Sequence, residues 1–172
     1  SKSNLSKHRH ISFTAHYTGY IWYSMGISHP VFATSKGKML AKLVHPLESW
    51  AEKFVGGSMR TTLKQRHSMI DQHLIQLIEQ HPDLQVLEIA SGLSPRGWNF
   101  RQKFPNIDYR ELDLPDMARV KTQALQKIDC NSPEVLSVDL FTADFEQAFQ
   151  VFDPTRPLVV ISEGLINYFN KD

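Results

Sequence analysis

The chain has 172 residues, of which 41% are hydrophobic and 22% charged, and this is enough for one globular domain with a sizeable core. The formal net charge of +1 excludes a general electrostatic attraction to nucleic acid or to a membrane surface. A single cysteine, Cys130, excludes an internal disulfide framework and a multi-cysteine zinc site, and it favours a cytoplasmic location. The longest aliphatic run, Leu158–Ile161, is too short to span a bilayer, so we expect no membrane partner.

The first 57 residues differ from the rest in being rich in His, Tyr, Ser and Gly. Apolar and aromatic residues at 13, 17, 20 and 21 fit one face of a helix, which we expect Pro30 to end or interrupt. One or two short helices are predicted between residues 37 and 54. We therefore interpret residues 1–57 as a helical cap, with a boundary at Gly56 and Gly57.

Residues 58–172 alternate helical patterns with short apolar runs. A long helix is predicted over 58–80, and Pro82 follows its end. Strands are predicted at 85–90, 108–113, 134–138 and 158–162, with helices at 95–103, 115–128 and 144–149. This alternation predicts an α/β fold with a parallel sheet covered on both faces.

The turn after the first predicted strand has the composition of a ligand-binding turn. It follows Glu88 and places small residues at Ala90, Gly92 and Ser94, just before a predicted helix start at Pro95. Small side chains let a ligand approach the backbone, and a helix N-terminus offers free N–H groups. The third glycine of a nicotinamide-binding turn is absent. The alternative is a tight turn that binds no ligand.

Acids follow the other predicted strands. Asp113, 21 residues past Gly92, is placed to accept hydrogen bonds from ribose hydroxyls. Asp139 can accept from an adenine amino group or cap a helix. Glu163 follows the fourth strand, where a carboxylate suits an ammonium or sulfonium group, and it needs a partner because a buried unpaired acid is costly.

Together these motifs resemble the class I S-adenosylmethionine-dependent methyltransferases. The details are similar to the leucine carboxyl methyltransferase-like branch, which includes O-methyltransferases of the polyketide-tailoring type. Ala90 and Ser94 stand where the family motif has glycines. The matching residues are Glu88-x-Ala90-x-Gly92-x-Ser94 followed by Arg96, Glu111-x-Asp113-x-Pro115, Glu163-Gly164-Leu165-x-x-Tyr168, and Arg66 with Asp71.

The resemblance implies a Rossmann-like sheet of strand order 3-2-1-4 and S-adenosyl-L-methionine as the cofactor. It implies that Arg66 pairs with the methionine carboxylate and that the turn from Glu88 through Ala90 and Gly92 passes the methionine portion. It further implies that Asp113 holds the ribose, that Asp139 and Leu140 hold the adenine, and that Glu163 faces the amino group. Three more strands follow in the family, so we expect this chain to be a fragment or to have its sheet completed by another copy.

We therefore expect an O-methyltransferase that acts on a carboxylate or hydroxyl of a small molecule, with no metal and no nucleic-acid partner. Two alternatives remain open, a Rossmann-type oxidoreductase and a methyltransferase-fold binding domain without activity. No catalytic base is assigned. The side chains considered for that role are His16, Tyr17, Tyr20, Tyr23, His29 and His67.

Overall fold

A computed structural model describes residues 15–16, 19–20, 22–39, 41–42, 59–128, 131–138 and 143–163. The chain divides into two compact units. One comprises the residues up to Leu74 together with Leu93–Pro95, and the other comprises Ile75–Gly92 and the residues from Arg96 onward. The boundary predicted at Gly56 and Gly57 lies outside the described residues, so the division into a cap and a cofactor-binding part stays a prediction.

In the first unit, the predicted N-terminal helix is observed at residues 15–16, 19–20 and 22–24. It ends before Pro30, because Gly26 adopts a φ of 77°. The Gly26 N–H donates to the Tyr23 carbonyl at 3.0 Å, and the Ile27 N–H donates to the Trp22 carbonyl at 3.1 Å. These two bonds form a Schellman cap. Pro30 instead opens a 3-10 turn over Pro30–Phe32. The prediction that Pro30 ends or interrupts this helix is therefore wrong, because the helix is already capped at Gly26, four residues earlier.

The regular elements of the rest of the chain follow the predicted order. Residues 144–149, predicted as a short helix, lie within a longer 3-10 helix. Among the described residues, no helix is both long and apolar enough to cross a membrane. The elements are α1 Met59–Gln80, β1 Gln85–Ile89, α2 Arg96–Lys103, β2 Asp108–Asp113, α3 Pro115–Gln126, β3 Glu134–Ser137, a 3-10 helix Ala143–Val151, and β4 Leu158–Ile161.

The second unit contains a four-stranded parallel sheet of order β3-β2-β1-β4, as predicted. Alternate residues of a strand point to opposite faces of a sheet. On one face, Leu87, Ile89 and Leu112 form a buried apolar cluster with Ala148 and Phe152 of the 3-10 segment. Hydrophobic burial holds that face together, and the Gln85 side chain adds hydrogen bonds to both backbone groups of Asp153, at 2.7 and 2.8 Å.

The other face of the sheet carries acids. The β1–β2 register places Glu88 directly beside Glu111, and both side chains are almost completely buried. Helix α2 packs against β2 on this face through Phe100, whose ring lies 6.3 Å from that of Tyr109. The strand pairing therefore places two like charges side by side, away from water.

The approach of α2 to this face depends on Gly97. A Cβ atom at this position would lie 2.9 Å from Tyr109 Cε1 and 3.0 Å from Pro133 Cγ. We expect Gly97→Ala to lower the free energy of unfolding by about 1–3 kcal/mol, because the helix must move away from a packed face. Urea denaturation measures this. Asn99→Ala, at an exposed position of the same helix, is the control and should be neutral or slightly stabilising. Equal stability of Gly97→Ala and the native chain would contradict the packing.

Candidate functional site

The turn after β1 has a left-handed backbone at two of its small residues. Ala90 and Gly92 have φ angles of 52° and 54°, in the left-handed region that glycine tolerates best. The Ala90 N–H donates to the Leu112 carbonyl at 2.7 Å, and the Gly92 N–H donates to Asp113 Oδ2 at 2.8 Å. The end of β2 therefore holds the turn through both backbone and side chain.

Asp113 is buried, with 2% exposure, rather than being an ordinary solvated acid. Besides the Gly92 bond, its Oδ1 accepts from the Leu114 N–H at 2.8 Å. Burial raises the pKa of this carboxyl to about 6, although the two N–H bonds and the charge of Lys121 oppose the rise. Each carboxylate oxygen has two acceptor sites, so both bonds leave room for a further donor such as a ribose hydroxyl.

Glu163 has the partner that the sequence analysis required. Arg96, which is fully buried, donates through Nη1 to Glu163 Oε2 at 2.9 Å and to Glu88 Oε2 at 3.0 Å. The other Glu88 oxygen accepts from the Tyr109 hydroxyl at 2.7 Å. Burial, with the neighbouring charge of Glu88, raises the pKa of Tyr109 well above its ordinary value, so the phenol remains a donor. One guanidinium thus joins the ends of α2, β1 and β4.

Glu111 is paired separately with Lys121 of α3. Lys121 Nζ donates to Glu111 Oε1 at 2.7 Å and lies 3.4 Å from the Gly92 carbonyl oxygen. Burial raises the pKa of the Glu111 carboxyl above its ordinary value, although the charge of Lys121 opposes the rise. Lys121 is not among the site residues predicted from the sequence. Its signal is its place in the buried stripe of α3, where a lysine is unusual: Met117, Ala118, Lys121, Ala124 and Leu125.

These side chains form a buried charge cluster of four carboxylates and two cations. When all are ionised, the cluster is short of two positive charges. The described part of the chain holds no group of three or more His, Cys, Asp or Glu side chains arranged for a metal ion. The members of the cluster are Glu88, Glu111, Asp113, Glu163, Arg96 and Lys121.

Nothing in the described structure tests the roles predicted for the other cofactor residues. Arg66 is half-buried in α1, in the first unit. Asp139 and Leu140 lie outside the described residues. Their roles stay predictions.

The candidate bases in the first unit have structural partners. His16 Nδ1 lies 2.6 Å from Thr34 Oγ1, and burial lowers the pKa of this histidine. His29 Nδ1 accepts from the Val31 N–H at 3.1 Å and so caps the 3-10 turn. His67 packs on Trp22 with ring centres 5.3 Å apart. Tyr23 is exposed, Tyr20 is half-buried, and Tyr17 lies outside the described residues.

Comparison with known proteins decides the family. The family model described as leucine carboxyl methyltransferase matches residues 29–172, which is most of the chain. The chain belongs to the leucine carboxyl methyltransferase family. The suggested resemblance is confirmed, and membership implies S-adenosyl-L-methionine as the cofactor.

Two curated relatives agree with this assignment. The tetracenomycin polyketide synthesis O-methyltransferase TcmP of Streptomyces glaucescens is 25% identical over 107 residues, covering 62% of this chain and 37% of that protein. A Mycobacterium avium (strain 104) protein, whose name describes an S-adenosyl-L-methionine-dependent methyltransferase, is 35% identical over 89 residues, covering 49% of this chain and 28% of that protein. The matches thus span about a third of these relatives. No solved structure matches the chain.

The observed residues fit this cofactor. It carries a sulfonium and an ammonium group, and the buried charge cluster has an excess of carboxylates. The left-handed turn at Ala90 and Gly92 presents backbone rather than bulky side chains. Asp113 and Glu163 are the acids placed at the carboxyl ends of β2 and β4, the edge at which open parallel sheets bind ligands.

Ala90 stores strain in this turn, because a left-handed backbone costs a non-glycine residue about 1–2 kcal/mol. We expect Ala90→Gly to raise the free energy of unfolding by about 0.5–1 kcal/mol, the relief being partly offset by the greater freedom of glycine in the unfolded chain. Urea denaturation checks this. Ala118→Gly, in helix α3, is the matched control and should lower stability by about 1 kcal/mol or more. Destabilisation by both substitutions would argue against strain at Ala90.

Asp113 also predicts a pH dependence of stability. Its pKa is about 6 in the folded chain against an ordinary 3.8, so the folded chain binds the extra proton between these values. The contribution of Asp113 to the free energy of unfolding is therefore fully present below about pH 4, and it is lost as pH rises through about 6. We expect the free energy of unfolding of the native chain, minus that of Asp113→Asn, to be larger at about pH 4.5 than at about pH 7, by about 1–3 kcal/mol. Urea titrations at both pH values measure it, and an equal difference contradicts the expectation.

Proposed function

We propose that this chain takes part in the S-adenosyl-L-methionine-dependent O-methylation of a carboxylate or hydroxyl group on a small molecule. The observation that carries the proposal is the buried charge cluster, with its carboxylate excess beside the turn at Gly92, in a chain of the leucine carboxyl methyltransferase family. The name of TcmP, an O-methyltransferase of polyketide synthesis, supports oxygen as the acceptor atom. The family also favours methyl transfer over the oxidoreductase alternative.

The chain's own residues would hold the cofactor as follows. Asp113 would accept from ribose hydroxyls through the free acceptor sites of its oxygens, while its bonds to Gly92 and Leu114 hold the carboxylate still. Glu163, positioned by Arg96, would face the amino group of the methionine portion. The backbone at Ala90 and Gly92 would lie along that portion. When bound, S-adenosyl-L-methionine supplies an electrophilic methyl group on its sulfonium sulfur.

In such a reaction the protein contributes mainly by positioning the acceptor oxygen in line with the methyl group. A carboxylate acceptor is already an anion and needs no base. A hydroxyl acceptor benefits from one, most often histidine.

Cofactor binding tests the proposal. We expect the chain to bind S-adenosylhomocysteine in a calorimetric titration and to bind NAD and NADP much more weakly. Asp113→Ala should weaken binding of S-adenosylhomocysteine by about 1–3 kcal/mol, the loss expected for hydrogen bonds to a charged group. Asp116→Ala, at an exposed acid on the first turn of α3, is the matched control and should bind as the native chain does.

Two outcomes would count against this assignment. If Asp113→Ala folds and binds S-adenosylhomocysteine as tightly as the native chain, Asp113 only holds the turn. If the native chain binds no S-adenosylhomocysteine, the proposed function fails for this chain, and a methyltransferase-fold domain without activity takes its place.

A further inference from the structure

Lys121 is the least expected member of the buried charge cluster. Only 1% of it is exposed, and its helix contributes an otherwise apolar stripe to the sheet. Burying an ammonium group costs several kcal/mol unless it is paired and hydrogen-bonded. A lysine retained here at that cost requires an explanation beyond filling space.

Part of the explanation is the charge of Glu111. This glutamate is fully buried beside Glu88, and Arg96 already serves Glu88. Lys121, 2.7 Å from Glu111 Oε1, neutralises the second acid of the pair. A neutral residue pair of similar size would avoid both charges, so pairing alone does not account for a lysine at this position.

The second contact of Lys121 is with the turn. Its Nζ lies 3.4 Å from the Gly92 carbonyl oxygen, and the Gly92 N–H is bonded to Asp113 at 2.8 Å. Both polar backbone groups of this one residue are therefore held by charged side chains. Gly92 is also one of the residues with a left-handed backbone, where few conformational preferences of its own restrain it.

We propose that Lys121 is a positioning residue for the cofactor: it orients the Gly92 peptide along which the methionine portion lies, and Glu111 holds the Lys121 ammonium at the carbonyl. This inference rests on the proposed function. In this role the effect of Lys121 on the cofactor would pass through the turn.

Three variants separate positioning from simple charge pairing. Lys121→Met removes the bonds to Glu111 and to Gly92 and leaves Glu111 buried without this cation, so it loses stability and binding together. Glu111→Gln removes the ion pair but keeps the ammonium, with a carbonyl oxygen still available to accept from it. The double variant, with Lys121→Met and Glu111→Gln, removes both charges and regains stability over Lys121→Met, yet still lacks the contact with Gly92.

We expect binding of S-adenosylhomocysteine, measured by calorimetry, to depend more on Lys121 than on Glu111. Glu111→Gln keeps the ammonium and leaves it an acceptor, so it should lose less affinity than the double variant. The double variant should bind about fivefold to tenfold more weakly than the native chain, as for loss of one charge-assisted hydrogen bond. Arg119→Met, which removes an exposed cation from the same helix, is the control and should bind normally. A double variant that regains native affinity along with stability overturns the positioning role and leaves the proposed function intact.

A second measurement keeps the two proposals distinguishable. If the native chain binds no S-adenosylhomocysteine, the proposed function fails, and hydrogen exchange at the Gly92 amide tests the turn alone. We expect faster exchange in the double variant than in Glu111→Gln, because the turn has lost its hold on the carbonyl. Equal exchange in these two variants overturns the role of Lys121.

Discussion

The structure depends on a conflict inside the sheet: parallel pairing of β1 with β2 places Glu88 beside Glu111 on a face that is sealed from water. Two adjacent carboxylates in a low dielectric repel strongly, and neither can be left unpaired. The fold resolves the conflict with two separate cations. Arg96 reaches in from α2 and Lys121 from α3, so the two helices that cover this face are bonded to it as well as packed on it.

The same two cations connect the sheet to the edge at which we propose that the cofactor binds. Arg96 extends from Glu88 to Glu163 beyond β4, and Lys121 extends from Glu111 towards the Gly92 carbonyl. Asp113 adds the bond to the Gly92 N–H. The turn that would meet the cofactor is thereby held before any ligand arrives. Preorganisation of this kind reduces the ordering cost of binding.

The cluster remains acidic after these pairings, and burial raises the pKa of Asp113 and Glu111 in response. A ligand with fixed positive charge at the proposed site would relieve part of that cost, so the stability of the chain and its affinity for such a ligand would be linked through the same carboxylates. The strained backbone at Ala90 belongs to the same region. Strain and unbalanced charge concentrated at one edge of a sheet are typical of a binding site rather than of a structural core.

The sequence by itself determined the alternation of strands and helices and the acids at the strand ends, because periodicity and turn residues are local properties. The strand order came from the family resemblance of the motifs, and the observed sheet and the family match confirm it. The helix cap at Gly26 is also a local property, although the helix end was predicted at Pro30. Only the tertiary structure decided which charges meet. Glu88 and Glu111 are 23 positions apart in the sequence, and they lie side by side only because of the strand register. The bonds of Arg96 to Glu163 and of Lys121 to Gly92 depend on how the helices lie on the sheet, and no local sequence pattern encodes that.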